Sequence, residues 1–454
     1  MRTNNMEFKV GTSKTDITPN YGSPTRVWPA PDYRARINDI RWPLYARTVA
    51  LSAGNSLTTI TSMELASIFK CHLDHIRSLV RAMTTVPIDN IILHAIHQHS
   101  DSFIEYEPSY DIFEINDVAF DMDYIRNLAR QVASSVCLAV QRMTPATVGY
   151  ASGAVEEGIA SCRRVLNKDN RLIWRGSRPP QELRDLPRGH IDPEVGVVVF
   201  SEPTGKPLAT LYNYACHPSS AGGDSPSVCS ADFPGFASDM IEKCHGGTAL
   251  FLHGCSGDIN PGKYVRGDSL APDDRIADAK RMGQILAGEV FKTIGVIKAR
   301  NVENFRTRTK DCLLPVQAEA GNIEQCLANA RKAMDEWRKK GTDPRKALRK
   351  YVMSKKIVDG CCPVTMFALS INGIAIGFIP GEPFTEFGER IKKSSSADLT
   401  LVTATCGEDP FYIPPREAFA QGGYETSFIA SEKTGEVMLK EIQGLLAICV
   451  EEGG

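Results

Sequence analysis

The chain has 454 residues, of which 42% are hydrophobic and 23% are charged, and this composition excludes a disordered or collagen-like protein. Its 52 basic and 54 acidic residues leave a net charge of −2, so we expect no nucleic-acid partner and no stable membrane association. No apolar run reaches the roughly 18 residues of a membrane-spanning helix, and residues 1–10 lack the apolar core of a secretory signal. Because the thirteen cysteines include no Cys-x-x-Cys pair, we expect reduced thiols and a cytoplasmic location.

Short apolar runs that are typical of strands alternate with helix-like segments along the chain. The predicted strands, in chain order, span residues 57–62, 90–96, 209–215, 248–252, 365–371, 374–379 and 399–405. The predicted helices span residues 122–143, 236–244, 273–297, 323–340 and 436–450. Asn372 and Gly373 between two of these strands predict a tight hairpin, so the sheet should contain antiparallel as well as parallel neighbours.

This alternation predicts an α/β fold with a mixed β-sheet core and flanking helices. We find no clean linker, so residues 1–454 are predicted to form a single domain. Residues 331–356 are rich in Lys and Arg, and we expect a helical insertion on the surface at about residues 320–360. No repeat of fixed period is visible in the sequence, which argues against a solenoid or a propeller.

Metal-ligand side chains follow several of the predicted strands, where open α/β sheets bind their ligands. His97 and His99 follow the strand at 90–96, His217 follows the strand at 209–215, and Glu382 follows a glycine after the strand at 374–379. Each residue alone has a simpler explanation, since solvated strand ends, structural histidines and turn glutamates are common. Two or three histidines and one carboxylate that are dispersed in this way match a catalytic zinc site with an open position.

Two further segments carry polar residues with either a structural or a functional explanation. The segment Gly-Asp-Ile-Asn-Pro at 257–261 follows His253, and it is either a simple turn or a loop that brings Asp258 and Asn260 to a substrate. Tyr412 precedes two prolines, which is typical of packing, although a phenol beside Zn²⁺ can bind the ion or polarise a carbonyl. The sequence lacks the main motifs of kinases, Rossmann oxidoreductases, gluzincins and α/β-hydrolases.

Together these motifs resemble those of the neutral, non-lysosomal ceramidase family. The matching segments are Val-Gly-Thr-Ser-Lys-Thr-Asp-Ile-Thr-Pro at 10–19, Pro-Leu-Tyr-Ala-Arg at 43–47, His-Gln-His-Ser at 97–100, Asn-Tyr-Ala-Cys-His at 213–217, Pro-Gly-Glu at 380–382 and Tyr-Ile-Pro at 412–414. The resemblance spans roughly residues 10–425 and implies a ceramidase-like catalytic domain with its site at strand ends. The Zn²⁺ ligands that it implies are His97, His217, Glu382 and Tyr412. It also implies that His99 lines the active site and that Arg163 or Arg164 faces the substrate.

The chain departs from the family pattern in three ways. The family's Gly-Asp-Val-Ser-Pro contains a serine that is proposed as the nucleophile, and Asn260 replaces this serine here. The glycine-rich segment after the histidine pair is replaced by Asp101, Ser102 and Phe103. Long ceramidases carry a C-terminal β-sandwich domain, and we expect none here because the sequence ends soon after the tyrosine segment.

The resulting prediction is a zinc-dependent hydrolase in which zinc-bound water attacks a small polar substrate, and the resemblance implies an amide bond as the target. His99 would act as general acid and base, and Tyr412 would also stabilise the oxyanion. The residues expected to hold polar groups of the substrate are Asn260, Asp258 and His253. One alternative is a carbohydrate or polyol hydrolase or lyase that uses the same metal pocket, and another is a non-catalytic binding protein. The sequence leaves open whether the chain forms a homo-oligomer.

The segment between His99 and Asp123 contains seven acidic residues and no basic one. These residues are Asp101, Glu105, Glu107, Asp111, Glu114, Asp117 and Asp121. We expect the segment either to face a polar or cationic substrate or to be a solvated surface. Since an acidic wall would disfavour approach to an anionic bilayer, we expect ceramide in a membrane to be a poor substrate.

Overall fold

Three β-sheets form the framework of the molecule, and each is built from one consecutive stretch of the chain. The structure is a computed structural model that describes residues 7–25, 36–115, 119–167, 171–174, 181–184, 186–221, 227–261, 272–407 and 411–451. We call the three stretches, at residues 8–145, 147–294 and 305–451, the first, second and third units. In the part of the chain that the structure describes, no helix is long and apolar enough to cross a bilayer.

The first unit contains a five-stranded sheet with two helices on its outer face. Its elements are β1 (Phe8–Asp16), β2 (Asp39–Ile40), β3 (Tyr45–Ala53), β4 (Ser56–Met63), α1 (Lys70–Met83), β5 (Ile91–Ala95), α2 (Met122–Gln141) and β6 (Thr144–Pro145). The strand order is β5-β4-β3-β1-β6, with β5 parallel to β4 and all other neighbours antiparallel. The helices cover the sheet because their apolar positions, such as Leu73 and Val132, pack with Leu93 of β5.

The second unit repeats this arrangement around a four-stranded sheet. Its elements are β7 (Thr147–Ala154), β8 (Ala160–Cys162), β9 (Arg164–Leu166), β10 (Leu172–Trp174), α3 (Gln181–Arg184), β11 (Glu194–Ser201), β12 (Pro207–Tyr214), β13 (Val228–Cys229), α4 (Asp232–Cys244), β14 (Thr248–His253), β15 (Ile259–Pro261) and α5 (Pro272–Ile294). The strand order is β14-β12-β11-β7, and only β14 is parallel to its neighbour. Phe233 of α4 and Leu286 of α5 pack with Tyr212 on the outer face.

The third unit has the same strand order and a larger insertion. Its elements are β16 (Phe305–Pro315), α6 (Ile323–Lys340), α7 (Arg345–Ser354), β17 (Cys361–Ile371), β18 (Ile374–Phe378), β19 (Glu382–Pro383), α8 (Thr385–Ser394), β20 (Leu399–Thr403), β21 (Tyr412–Ile413), α9 (Arg416–Gln421) and α10 (Thr434–Glu451). The sheet order is β16-β17-β18-β20, again with only the last pair parallel. The predicted hairpin is confirmed, since Ile371 pairs with Ile374 and Asn372 has a φ of 50°.

The inner faces of the three sheets meet in one shared apolar core. All three units contribute buried side chains to it, among them Val49, Leu51, Phe200, Leu211, Leu369 and Ile376. Each fully buried side chain of this size contributes about 1.5–3 kcal/mol by leaving water. The helices of each unit lie on the outer faces in separate cores. The shared core therefore holds the three units together, with the helices around them.

The fourth strands of the three units, β5, β14 and β20, are hydrogen-bonded to one another where they end. The His253 N–H donates to His94 Nε2 at 3.0 Å, and the Ala404 N–H donates to the carbonyl of His253 at 2.8 Å. Thr405 Oγ1 donates to the carbonyl of Ala95 at 2.6 Å. Burial lowers the pKa of His94 to about 3, so its ring is neutral and Nε2 can accept. Residues that follow the parallel strands of all three units are thus brought to one place.

The predicted mixed α/β fold is confirmed. Helices α6 and α7 lie where the surface insertion was expected, with one face exposed and the other packed on the protein. Cys326, Trp337 and Leu348 of this insertion are buried in the outer core of the first unit. The ring of Tyr351 packs edge-on against Phe113 with centroids 5.9 Å apart. The insertion of the third unit is therefore fixed to the first unit, beside the end of the sheets where the fourth strands meet.

Candidate active site

His97 follows β5 and presents one ring nitrogen to the centre of the site. Its Nδ1 lies 2.8 Å from the carbonyl of Ala66, and since a carbonyl can only accept, Nδ1 carries the proton. Nε2 lies 3.2 Å from Oε2 of Glu382. His97 has a φ of 67°, a left-handed backbone conformation that is costly for a residue with a Cβ and is common at functional sites.

His217 follows β12 and is oriented in the same manner. Its Nδ1 lies 2.7 Å from the carbonyl of Ser256 and 2.9 Å from that of Ile259. Its Nε2 lies 3.0 Å from Oε2 of Glu382, the same oxygen that His97 approaches. Burial lowers the pKa of His217 to about 4. Both imidazoles thus direct their Nε2 atoms at one point.

Glu382 occupies that point because the chain turns sharply after β18. Gly381 has a φ of 66°, which a residue with a side chain rarely adopts, and this turn aims the carboxylate back over the sheet. Burial opposes ionisation, but the imidazoles of His97 and His217 hold the pKa of Glu382 well below its usual range. The parallel pairing of β19 with β21 places Tyr412 directly beside Glu382.

His99 brings a third imidazole to the same place. One nitrogen from each of His97, His99 and His217 lies within 4.8 Å of the others. The ring of His99 is 5.0 Å from that of His97 and 5.8 Å from that of His217, between centroids. Unlike the two buried rings, His99 is partly exposed and lines a cavity. This position suits the acid and base role that the sequence predicts, and it is also within reach of a shared metal ion.

Arg163 and Arg164, which the sequence could not distinguish, occupy different surroundings. The guanidinium of Arg163 lies 4.9 Å from the Tyr412 ring centroid and donates to Oδ1 of Asn260 at 3.2 Å. Arg164 instead donates to the Gly422 carbonyl at 2.9 Å, and both arginines pair with the buried Glu425. Arg163 therefore contacts site residues, whereas Arg164 anchors the segment behind them.

Tyr412 and Asn260 lie beside the three imidazoles and are held by neighbouring groups. The Tyr412 ring is stacked on His217 with centroids 6.3 Å apart. Burial raises the pKa of Tyr412 well above its usual value, so the phenol keeps its proton. Asn260 is 6% exposed, and its amide oxygen accepts from Arg163. Both side chains are therefore fixed in place before any substrate arrives.

Asp258 and His253, which were expected to contact the substrate, have protein partners in the structure. Asp258 Oδ1 accepts from the backbone N–H and the hydroxyl of Thr385, both at 2.8 Å, and so it binds the first residue of α8. His253 is 1% exposed, and its ring stacks on that of His97 at 5.6 Å with Nε2 2.7 Å from Ser256 Oγ. Neither residue lines the cavity. Both residues instead hold neighbouring parts of the site in place.

The cavity above the three imidazoles has a volume of about 380 Å³, at the lower end of the range for small-molecule sites. Its lining combines charged and imidazole groups with aromatic rings: His97, His99, Asp343, Arg345, Lys346, Arg349, Glu382, Phe411, Tyr412, Tyr424 and Phe428. Arg345, Lys346 and Arg349, which lie at the start of α7, were not predicted as site residues. Their spacing at i, i+1 and i+4 is the local signal that they share one helix face.

The acidic segment, expected either to face a polar or cationic substrate or to be a solvated surface, includes both bound and exposed carboxylates. Asp101 is 2% exposed and accepts from the Ala66 N–H at 2.9 Å, and Glu105 is buried against Arg349. Glu107 and Asp121 cap helical turns, while Asp117 lies outside the described residues. These carboxylates are used within the protein, and the charged side chains that reach the cavity rim are mainly basic.

The donor set fits a Zn²⁺ ion. Zinc prefers imidazole nitrogens and carboxylate oxygens, and a zinc-binding histidine usually donates its other N–H to a carbonyl. His97 and His217 both do so, which directs two Nε2 atoms and the Glu382 carboxylate at a common point. One ring nitrogen from each of His97, His99 and His217 lies within 4.8 Å of the others, close enough to bind one ion.

Comparison with known proteins places this geometry in a known fold. No family model and no curated protein matches the sequence. The structure of the neutral ceramidase from Pseudomonas aeruginosa aligns with a TM-score of 0.71 and 15% identity over 98% of this chain and 75% of that chain. The structure of a ceramidase complexed with C2 aligns with a TM-score of 0.69, 15% identity and the same coverage. The resemblance inferred from short motifs is thus confirmed at the level of structure, and the chain has the fold of the neutral ceramidases.

Proposed function

We propose that the chain is a zinc-dependent hydrolase that cleaves an amide bond in a small polar substrate. The observation that carries this proposal is the approach of His97 Nε2 and His217 Nε2 to one oxygen of Glu382, at 3.2 and 3.0 Å. These groups lie at the base of a cavity of about 380 Å³. The fold shared with two ceramidase structures supports hydrolysis and an amide as the target.

His97, His217 and Glu382 would hold the Zn²⁺ ion, with Tyr412 beside it as a further ligand or a hydrogen-bond donor. When bound, zinc polarises a carbonyl and lowers the pKa of a coordinated water to about 7. The protein's own contribution is to fix the ligands beforehand, because the carbonyls of Ala66 and Ser256 orient the two imidazoles. This orientation does not depend on the substrate.

Proton transfer falls to His99, whose partly exposed imidazole lines the cavity within reach of both buried histidines. An imidazole can accept a proton from the attacking water and return it to the leaving amine. Tyr412 keeps its phenol proton and can donate it in a hydrogen bond to the oxygen that gains charge. The guanidinium of Arg163, 4.9 Å from the phenol ring, adds positive charge on that side.

The residue at position 260 bears on whether the reaction passes through an acyl-enzyme. An amide side chain has no atom that ionises to attack a carbonyl, so no acyl-enzyme forms on this residue. Its oxygen instead accepts from Arg163, which positions the guanidinium. Water is therefore the attacking group in a single displacement.

A carbohydrate or polyol hydrolase or lyase is the second candidate, and the lining of the cavity favours it. Seven of the eleven lining residues are charged or carry an imidazole, and the other four are aromatic. Hydroxyl-rich substrates use both kinds of group, through hydrogen bonds and ring stacking. We propose a dissolved substrate in the cytoplasm for either reaction, in line with thirteen cysteines that form no disulfide with one another. Light scattering of the purified protein would show whether the chain forms a homo-oligomer.

Metal analysis followed by a substrate screen tests the proposal. The purified protein should contain one equivalent of zinc, and His97→Ala should lose it, whereas the control His245→Ala, at the end of α4, should keep it. The screen compares short N-acyl amides, glycosides and ceramide in mixed micelles. Turnover of glycosides alone would establish the second candidate, and efficient ceramide cleavage would restore a membrane-lipid substrate. A metal-free protein without any turnover would leave only a binding role.

A further inference from the structure

We propose that Lys346 forms the centre of an anion-binding subsite in the cavity, flanked by Arg345 and Arg349. The substrate of the proposed hydrolase would then carry a carboxylate, sulfonate or phosphate group a few bonds from the amide. The identity of that substrate as an amide rests on the proposed function, whereas the subsite itself rests on the contacts below.

The three basic residues lie on a helix that is held in place. Leu348 and Val352 of α7 are 1% exposed and belong to the outer core of the first unit. Because these side chains anchor the helix, the residues at i, i+1 and i+4 are held beside the cavity. A charged group on a fixed helix is better placed to select a ligand than one on a mobile loop.

Lys346 differs from Arg345 and Arg349 in its ion-pair partners. Arg345 donates to both oxygens of Asp343, with Nε 3.0 and 2.9 Å from them, and Arg349 pairs with the buried Glu105. Among the residues that the structure describes, no carboxylate forms a salt bridge with Lys346. Three cations and two carboxylates leave one positive charge on this wall of the cavity.

The surroundings of Lys346 suit an anion that arrives with a ligand. Its ammonium contacts the hydroxyl of Ser427 and lies over the rings of Phe428 and Tyr424, at 5.2 and 5.8 Å from their centroids. Burial and the nearby Lys350 lower the pKa of Lys346, which shows that the charge lacks full compensation. A bound anionic group would supply that compensation and gain a charge-assisted hydrogen bond.

The subsite lies close to the three imidazoles. The Phe428 ring, 5.2 Å from the Lys346 ammonium, is itself 5.2 Å from the Tyr412 ring between centroids. Tyr412 is in turn the register partner of Glu382. A ligand that spans this short distance along the aromatic wall needs only a few bonds between its amide and its anionic group. N-acyl amino acids have this chemistry.

Binding of a matched pair of non-hydrolysable probes tests the subsite. The probes are 4-oxononanoic acid and its carboxamide, which differ only in charge and mimic N-hexanoylglycine with a CH₂ in place of the amide N–H. Calorimetry on the full-length protein should show that the acid binds about tenfold more tightly, the size of one charge-assisted contact. The carboxylate, sulfonate and phosphate possibilities are then separated by competition with N-hexanoylglycine, N-hexanoyltaurine and N-hexanoylphosphoethanolamine.

Variants assign this preference to Lys346. Lys346→Gln should abolish it while the carboxamide still binds, and Lys346→Arg should keep it. Lys350→Gln is the matched control, because Lys350 is on the same helix but does not line the cavity. Equal binding of acid and carboxamide to the unmodified protein, or a preference that survives Lys346→Gln, would overturn the inference. If the acid is preferred through Lys346 but N-hexanoylglycine is never hydrolysed, the subsite stands and the proposed function fails.

Discussion

The first and second units have the same strand order, yet they use the segment that follows the third strand in different ways. In the first unit this region holds Glu64, which accepts from the Tyr45 N–H at 2.7 Å and pairs with the buried Arg47. In the second unit it holds His217, whose Nε2 lies 3.0 Å from Glu382 in the site. Topology brings both residues to strand ends near the site, and the local partners decide which one does chemistry.

Glu64 instead belongs to a network that joins the two units. Arg47 also donates to Glu242 at 2.8 Å and to Asp239 at 2.9 Å, and both carboxylates belong to α4 of the second unit. Its guanidinium is fully buried, and these carboxylates raise the pKa of Arg47 despite the cost of desolvation. The segment after the third strand therefore supplies a site residue in the second unit and a structural residue in the first.

Removing the histidine of the second unit should have the largest effect on activity. His217→Ala takes away one proposed zinc ligand, and zinc supplies several kcal/mol of transition-state stabilisation. We expect zinc content near zero and amide turnover at least a thousandfold lower, measured by elemental analysis and steady-state kinetics, with the fold retained. Full zinc occupancy in the variant would contradict the proposed ligand set.

Removing the charge of Glu64 in the first unit should affect stability instead. Glu64→Gln leaves Arg47 buried with an incomplete set of partners, and breaking a buried pair costs about 3 kcal/mol or more. Urea unfolding should show this loss, while zinc content per folded molecule stays at the unmodified level. Loss of zinc from a stable Glu64→Gln protein would show that the contrast between the units is wrong.

His253 offers an intermediate case, because it supports a proposed ligand without being one. His253→Phe keeps a ring against His97 but loses the contact with Ser256. Since groups that orient a metal ligand are typically worth 10- to 100-fold, we expect turnover about tenfold lower at unchanged zinc content. A loss of turnover as large as that of His217→Ala would indicate that His253 acts directly in catalysis or zinc binding.

Replacing Asn260 should have the smallest effect of the four substitutions. Asn260→Ala removes one acceptor of Arg163, which keeps its partners Glu425 and Gly257. We expect turnover to fall about threefold, within the range of one lost neutral contact, and zinc to stay bound. Mass spectrometry during turnover should detect no acyl group on the unmodified protein, and a covalent adduct on Asn260 would refute the single displacement.

Local sequence signals were sufficient for the strands that carry the site. An apolar run followed by a histidine or a Gly-Glu pair marks the ends of β5, β12 and β18 directly. By contrast, β1 was not predicted, because only Phe8 and Val10 give it apolar side chains and its second half, which includes the buried Ser13, is polar. Ser13 hydrogen-bonds the carbonyl of Ser135, and Thr48 of β3 contacts the Ser135 hydroxyl at 3.0 Å. Satisfied hydroxyls inside a sheet leave no hydrophobic pattern to read.

The threefold repetition of the units could not be read from the sequence either. The next-to-last residues of the third strands are Ser62, Asn213 and Gly377. Ser62 donates to the carbonyl of Phe251 at 2.7 Å, and Asn213 donates to that of Val402 at 3.0 Å, so each binds the fourth strand of the next unit. Ser62 and Asn213 thus make equivalent hydrogen bonds with different side chains, and Gly377 has no side chain to make one. The position of α7 could not be predicted either, because its contacts with the first unit join residues that are far apart in the chain.

The shared core also has a consequence for how the chain folds. A fragment limited to the first unit would expose Val49 and Leu51, which the other two sheets cover. Contacts between units join distant residues, such as the hydroxyls of Thr58 and Thr307, which are 2.7 Å apart. Pairings of this sequence separation close late and slow the folding reaction. We therefore expect the three units to unfold in one cooperative transition, and a chain cut between two of them to regain structure only when both pieces are present.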